Sequence, residues 1–337
     1  MNKYTMQDLQ RFQAQPLSEK VDMTRARLME WYVHNNNNKC YVSFSGGKDS
    51  TVLAYIAAQV CSVLKCDLIL WFSDTGLEFP ELKKHVKSFV EYLRRTYTDI
   101  HIELVIDYPK DKNGKRISFR DVILDVGYPI ISKEVAQKVE FARSKPDGYC
   151  AEAFDPDSDY CKKYPKNCLK RWRGLLEAPF KISSKCCDIM KKKPAKAFEK
   201  MYCLKPILAT MACESSLRRN DWLKNGCNAF NRGQRPISKP MSFWLEQDVL
   251  EFIHINNIPI ATCYGDIIEK DGMLTTTLYK RTGCMYCMFG VHRELQPNRF
   301  QILKDTHPAI WDYCMKPVEE GGLGLRDILE YIWVNSE

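Results

Sequence analysis

The chain has 337 residues, 45% hydrophobic and 27% charged, with a formal net charge of +8. That length allows one large or two modest domains, and the composition is an ordinary soluble one. No apolar run approaches the about 18 residues that a membrane span requires, and residues 1–30 lack the apolar core of a signal peptide, so no membrane contact and a cytoplasmic location are expected.

Residues 5–34 read as helices, with Leu9, Phe12, Leu17, Val21, Leu28, Trp31 and Tyr32 on their apolar faces. The asparagines at 35–38 form a polar turn. Strand and helix then alternate: a strand over 39–44, a helix over 51–65, a strand over 66–72, a helix over 80–96 and a strand over 102–105. Such alternation predicts an α/β fold, a parallel twisted sheet flanked by helices, with ligands at the C-terminal strand ends. Residues 109–175 read as an irregular, basic insertion covering the site. A strand over 205–211 returns to the sheet, and a helix over 244–256 takes Ser242 as its candidate N-cap. From Cys284 onward a loop precedes a short helix at 325–333. The expected organisation is a helical segment 1–38, a central domain 39–260 with the insertion at about 109–175, and a cysteine-rich segment 261–337.

Basic residues cluster at 110–116, 162–173 and 191–196. Such a surface suits phosphate-rich partners, nucleic acid included, and equally reads as a solvated face. The cysteine count is 15. Without a secretory signal, these point to metal ligands or reactive thiols rather than to a disulfide framework. Cys40, Cys61 and Cys66 stand in apolar surroundings and read as buried small hydrophobes.

The first strand, with Ser43 near its end, runs into Ser45-Gly46-Gly47-Lys48-Asp49-Ser50 and then a helix. Two glycines permit a sharp turn that aims backbone N–H groups at an anion, and the helix adds its N-terminal dipole. Lys48 adds a positive charge and Ser45 and Ser50 add hydroxyl donors. The Walker spacing is absent. Ser-Gly-Gly-x-Asp-Ser is instead the PP-loop pattern of enzymes that act at the α-phosphate of ATP or on adenylyl sulfates. The second strand ends in Ser73-Asp74-Thr75-Gly76-Leu77-Glu78, a polar tip suited to ribose or adenine, or simply a capped helix start before Pro80.

Together these segments resemble the sulfonucleotide reductases, the family that reduces phosphoadenylyl sulfate and adenylyl sulfate and includes adenylating sulfur-transfer relatives. The resemblance extends to Gly127-Tyr-Pro-Ile-Ile-Ser-Lys133, to Glu214-Ser-Ser-Leu-Arg218 and to Lys239-Pro-Met-Ser-Phe-Trp-Leu-Glu-Gln-Asp248, and spans roughly residues 39–315. It implies that Ser43, Ser45, Gly46, Gly47, Lys48, Asp49 and Ser50 hold phosphate or sulfate, with Lys48 and Asp49 serving the chemistry. It further implies that Asp74, Thr75 and Gly76 frame the nucleoside, and that Lys133 and Arg218 contact anions. Magnesium accompanies the nucleotide if that nucleotide is ATP.

Cys186-Cys187-Asp-Ile-Met-Lys-Lys-Lys-Pro194 and Cys284-Met-Tyr-Cys287 resemble the adjacent pair and the Cys-x-x-Cys pair that bind a [4Fe-4S] cluster in adenylyl sulfate reductases. Four thiolates suit such a cluster. A zinc site and unliganded thiols are the alternatives, and Cys227 is a reserve ligand. Cys150, Cys161 and Cys168 fit no ligand spacing.

The chain departs from the family in two places. The reductases carry a nucleophilic cysteine in a C-terminal Glu-Cys-Gly-Leu/Ile-His motif, which is absent, and the nearest substitute is Cys314. Ala209 and Met211 stand where the family has Gly-x-Arg, removing a bidentate anion contact. The resemblance therefore implies reduction of a sulfonucleotide with a thioredoxin-like reductant. Alternatives are ATP-dependent adenylation with sulfur transfer to nucleic acid, which needs a sulfur donor, and a nucleotide or redox sensor without turnover.

Overall fold

The computed structural model describes residues 2–230 and 235–337. The helices α1 (Met6–Gln13) and α2 (Leu17–His34) lead into β1 (Cys40–Ser43), α3 (Lys48–Leu64), β2 (Leu68–Ser73), α4 (Pro80–Thr96) and β3 (Ile102–Asp107). Next come α5 (Phe119–Val126), β4 (Ile130–Ile131), α6 (Lys133–Ser144), α7 (Tyr149–Glu152) and α8 (Asp159–Lys163). They are followed by α9 (Lys193–Tyr202), β5 (Lys205–Ile207), α10 (Ser216–Asn225), β6 (Asn228–Ala229), β7 (Ile237–Ser238) and α11 (Glu246–Ile255). The chain ends with β8 (Ile267–Lys270), β9 (Met273–Thr276), β10 (Met288–Phe289), α12 (Arg299–Thr306), α13 (Pro308–Met315) and α14 (Leu325–Tyr331). These elements form two compact units, Met1–Asp74 with Glu78–Asp107 and Ala195–Thr282, and Thr75–Leu77 with Tyr108–Pro194 and Gly283–Glu337.

The first unit is an α/β layer structure. Its sheet runs β3-β2-β1-β5-β7-β6. All neighbours are parallel except β6 with β7. The order reverses at β1, because β2 and β3 extend one way and β5 lies on the other side. A crevice opens at such a switch point, outside the C-terminal strand ends. Behind it, α3 is buried along most of its length, and Ala54, Ala57 and Ala58 keep it slim enough to pack closely. The neighbouring α4 is amphipathic, burying Leu82, Val86, Phe89 and Leu93 at helical spacing and ending in Arg94 and Arg95.

The N-terminal helices belong to this unit, so the boundaries expected near 38 and 260 are not those of the compact units. Tyr4 stacks on Trp222 at 4.8 Å. Lys20 Nζ is bonded to both Asp248 oxygens at 2.7 Å, and Trp244 Nε1 donates to Thr24 Oγ1. Asp248 also accepts the Leu245 N–H at 2.6 Å, which caps α11. Ser242, the expected cap, instead donates to the Lys239 carbonyl. It lies too far before the first helical turn to reach its amides.

His85 on α4 is buried, with Nε2 3.2 Å from Thr51 Oγ1. Burial lowers its pKa from 6.5 to about 4. The unfolded chain therefore takes up this proton first as pH falls. Stability from the neutral ring is complete above about pH 6.5 and is lost between there and about pH 4, by up to ~3 kcal/mol. Thermal melts across that window should show a shallower pH slope for His85→Gln than for the parent. Equal slopes would remove His85 from the acid sensitivity.

In the second unit, the stretch expected to be irregular contains helices. The start of α5 is set by a reciprocal Ser118–Asp121 capping box, and α6 is capped by Ser132. Between them Gly127 adopts φ +107°, and a Cβ there would meet the Lys181 carbonyl carbon at 2.5 Å. This close approach lets Tyr128 N–H donate to Lys181 O and Ser183 N–H donate to Tyr128 O. Arg143 holds the returning chain by donating to the Leu175, Ala178 and Phe180 carbonyls. Cys161 and Cys168 are joined as a disulfide across 4.9 Å between Cα atoms, where reactive thiols or metal ligands were expected. They lie either side of a turn that brings the two side chains together. The segment after Cys284 is not simply loop. Its α12 has a reciprocal Asn298–Gln301 cap, and α13 starts at Pro308. Among the described residues no helix is long and apolar enough to cross a membrane.

Candidate functional site

At the C-terminal end of β1 the chain turns through Ser45, Gly46 and Gly47 into α3. Gly46 has φ +75°, and a Cβ there would lie 2.9 Å from Val86 Cγ2 and 3.1 Å from Leu82 O. Conformation and space both demand glycine. The N-cap of α3 is Gly47, which offers no side-chain acceptor to the first-turn amides. A helix start of this kind is an anion site in waiting. Lys48 N–H donates to the Tyr264 hydroxyl at 3.2 Å, and that hydroxyl lies 2.6 Å from Thr282 Oγ1.

The two serines, expected to add hydroxyl donors, also brace the loop itself. Ser45 N–H donates to Ser50 Oγ, the two hydroxyls lie 3.0 Å apart, and Ser50 Oγ donates to Gly47 O. Gly47 N–H in turn donates to Ser45 Oγ. Short side chains beside a tight turn find these backbone partners before any ligand arrives. Ser43 ends β1, paired in register with Trp71.

Lys48 is only 5% exposed, with Nζ 2.9 Å from both Glu246 Oε1 and Lys280 O. Burial raises the Asp49 pKa, opposed by the positive charges of Lys48, Arg281 and Arg218. Arg218 forms an ion pair with Glu214. The same group includes Cys213, a free and exposed cysteine whose thiol pKa is raised by burial and lowered by Arg281. The loop after β5 thus brings Cys213 and Arg218 to the helix start, as a switch point between β1 and β5 requires. Nothing in the sequence singles out Glu246, Tyr264 or Arg281. Each lies far along the chain from the loop it supports, although Arg281 stands just before the Cys-x-x-Cys pair.

Asp74 closes β2 with an ion pair to Lys83 at 2.5 Å, and its N–H donates to Asp107 O. Thr75 and Gly76 belong to the second unit. There Thr75 Oγ1 accepts the Leu77 N–H, and Gly76 takes φ +77°.

The second unit gathers four thiols. Cys186 interacts electrostatically with Cys187, Cys284 and Cys287, and its hydrogen bond to Cys187 together with burial pushes its pKa far up. The same bond pushes Cys187 down, helped by the positive charges of Lys133 and Lys191. Lys133, expected as a nucleotide contact, is hydrogen-bonded to Cys187 from the first turn of α6. Burial raises the Cys287 pKa, opposed by Arg299, which also donates to the Cys287 carbonyl at 2.9 Å. The adjacent pair leads into a π-helical turn, Asp188–Lys192. Among the described residues no three His, Cys, Asp or Glu side chains converge tightly enough for a single metal ion.

The other expected cysteines lie elsewhere. Cys227 is packed on the first unit's core beside Trp222, and burial raises its pKa to about 11. Cys314 is 0% exposed on α13, and burial alone pushes its thiol pKa far up.

No family model matches the chain. It is similar to an uncharacterized protein of Methanocaldococcus jannaschii, 22% identical over 319 residues. The aligned region covers 94% of this chain and 57% of that protein, so the chain spans little more than half the length of the relative.

Proposed function

We propose that this protein is a PP-loop enzyme of the sulfonucleotide reductase family, binding an adenine nucleotide at the start of α3 and holding a [4Fe-4S] cluster. The observation that carries the reading is the Gly-capped start of α3 with Lys48, Arg218 and Arg281 grouped around Asp49. A helix start without a side chain from its own N-cap, a helix dipole and three cations suit an α-phosphate or sulfate. Glu246 and the Lys280 carbonyl hold the Lys48 ammonium at the loop until an anion takes their place.

Cys186, Cys187, Cys284 and Cys287 would hold the cluster. Cys186 interacts electrostatically with the other three thiols, and four thiolates suit such a cluster. Such a cluster would supply a polarising charge for the nucleotide site's chemistry, the electrons coming from the dithiol. Lys133 and Lys191 favour the thiolate of Cys187 whatever the cluster does.

Reduction of a sulfonucleotide requires a thiolate to attack sulfur. The S–O bond to phosphate then breaks, the nucleotide leaves with the electron pair, and an external dithiol reduces the S-sulfocysteine to free sulfite. Cys314 is buried and held protonated, so it is a poor nucleophile. Cys213 is exposed and lies among the charged groups of the cradle; burial raises its thiol pKa too, with Asp49 and Glu246 adding to the rise and Arg281 opposing it, so its claim rests on access rather than on ionisation.

A second reading is ATP- and magnesium-dependent adenylation of a nucleic acid followed by sulfur transfer. Buried Cys314 and the Met211 that replaces an anion-binding arginine favour it.

The experiment is a product assay on anaerobically purified protein with adenylyl sulfate, phosphoadenylyl sulfate or ATP, each with a dithiol and magnesium. Sulfite release that survives in Cys314→Ser and stops in Cys213→Ser is the expected result. Pyrophosphate and AMP from ATP, only when nucleic acid is present, would establish the second reading. No nucleotide binding would overturn both.

A further inference from the structure

The second unit carries a basic and aromatic face that the cradle and the thiols do not use. From residue 160 to residue 176 the chain has no acid, and Lys162, Lys163, Lys166, Lys170, Arg171 and Arg173 are all exposed. The Cys161–Cys168 disulfide closes the turn bearing the first three lysines. The exposed acids Glu152, Asp155, Asp157 and Asp159 lie before this segment and Glu177 after it, so the basic stretch is bounded on both sides. The positive charge extends beyond the segment, because Arg171 and Arg293 both act on His292.

Aromatic rings stand open among these cations. Tyr164 is 43% exposed, packed on Tyr160, with the Lys163 ammonium over its ring. At the far end Arg171 lies over Trp172, and Trp333 stacks on Trp172 at 6.4 Å. Trp333 is 76% exposed and has φ +57°. It occupies the left-handed position after α14, where Val334 N–H donates back to Leu329 O. Glycine normally fills that position. A bulky residue there is strained, and an exposed indole recovers little by burial.

We propose that this face binds single-stranded nucleic acid, with phosphates on the lysines and arginines and bases stacked on Tyr164 and Trp333. Cations that track a backbone and open rings that accept any base are the two parts such a surface needs. An acidic protein segment would use the charges and leave the indole without a role. The inference rests on the second reading above and deepens it by narrowing its nucleic-acid acceptor to single strands and assigning the surface that holds them. It is tested without nucleotide, so its failure and that of the cradle are distinguishable.

The test is fluorescence anisotropy of the full chain with short mixed-sequence RNA and DNA strands, the matching duplex, and polyglutamate as competitor. Single strands should bind more tightly than duplex, and a preference for RNA or DNA would name the source. Replacing Lys162, Lys163 and Lys166 together by alanine should weaken binding at least about tenfold and flatten the log–log salt slope by about 2. Trp333→Ala should cost about tenfold and Trp333→Phe much less. Thermal melts followed by circular dichroism on the same variants report that they remain folded. Unchanged affinity in both variants, duplex binding as tight as single strands, or equal displacement by polyglutamate would overturn the proposal.

Discussion

Lys48→Ala is expected to weaken adenine-nucleotide binding by about 100-fold, the size of a lost charge-assisted contact to phosphate, while iron content stays at the parent level. The residue is 5% exposed and its ammonium is placed at the helix start by Glu246 and the Lys280 carbonyl. Removing it leaves the Glu246 carboxylate facing the approaching anion, so repulsion adds to the lost attraction. Gly46→Ala should produce a comparable loss by a different route. Its Cβ would press on Val86 and on the Leu82 carbonyl from a left-handed backbone, so the loop must move. Calorimetric titration with ATP and adenylyl sulfate measures both effects. Parent-like affinity in Lys48→Ala would end the assignment of this loop as the phosphate site.

Cys284→Ser is expected to reduce bound iron from about four per chain to near zero and to abolish the brown charge-transfer absorbance of anaerobically purified protein. The same result is expected for Cys187→Ser, whose thiolate is supported by Lys133 and Lys191. Cys227→Ser should leave iron unchanged, because that thiol is packed against Trp222 in the core of the first unit. Iron and acid-labile sulfide assays with absorbance spectra decide the matter. Full loading in Cys284→Ser removes it from the ligand set, and loss in Cys227→Ser alone would restore the reserve ligand. If zinc is found in place of iron in the parent protein, the cluster reading fails.

Features that depend on neighbours a few residues away are legible in the order of the amino acids. Alternating apolar runs marked β1, β2, β3 and the helices between them, because strand and helix periodicity are local properties. Gly46 and Gly47 were legible as a tight turn into a helix for the same reason, and the adjacent and Cys-x-x-Cys pairs were legible from spacing. Irregular composition hid α5, α6 and α12, whose starts rest on one or two capping side chains each, Ser118 with Asp121, Ser132, and Asn298 with Gln301. Which distant side chains meet follows from the folded arrangement alone. Glu246, Tyr264 and Arg281 reach the loop from more than 190 residues away because β1 and β5 are neighbours in the sheet, with α11 packed on α3. The same folding sent Lys133 to Cys187, closed the serine hydroxyls onto their own loop, and enclosed Cys314 in a core that suppresses its ionisation. Burial and long-range proximity set the charge and reach of a side chain, and neither is encoded in its immediate neighbours.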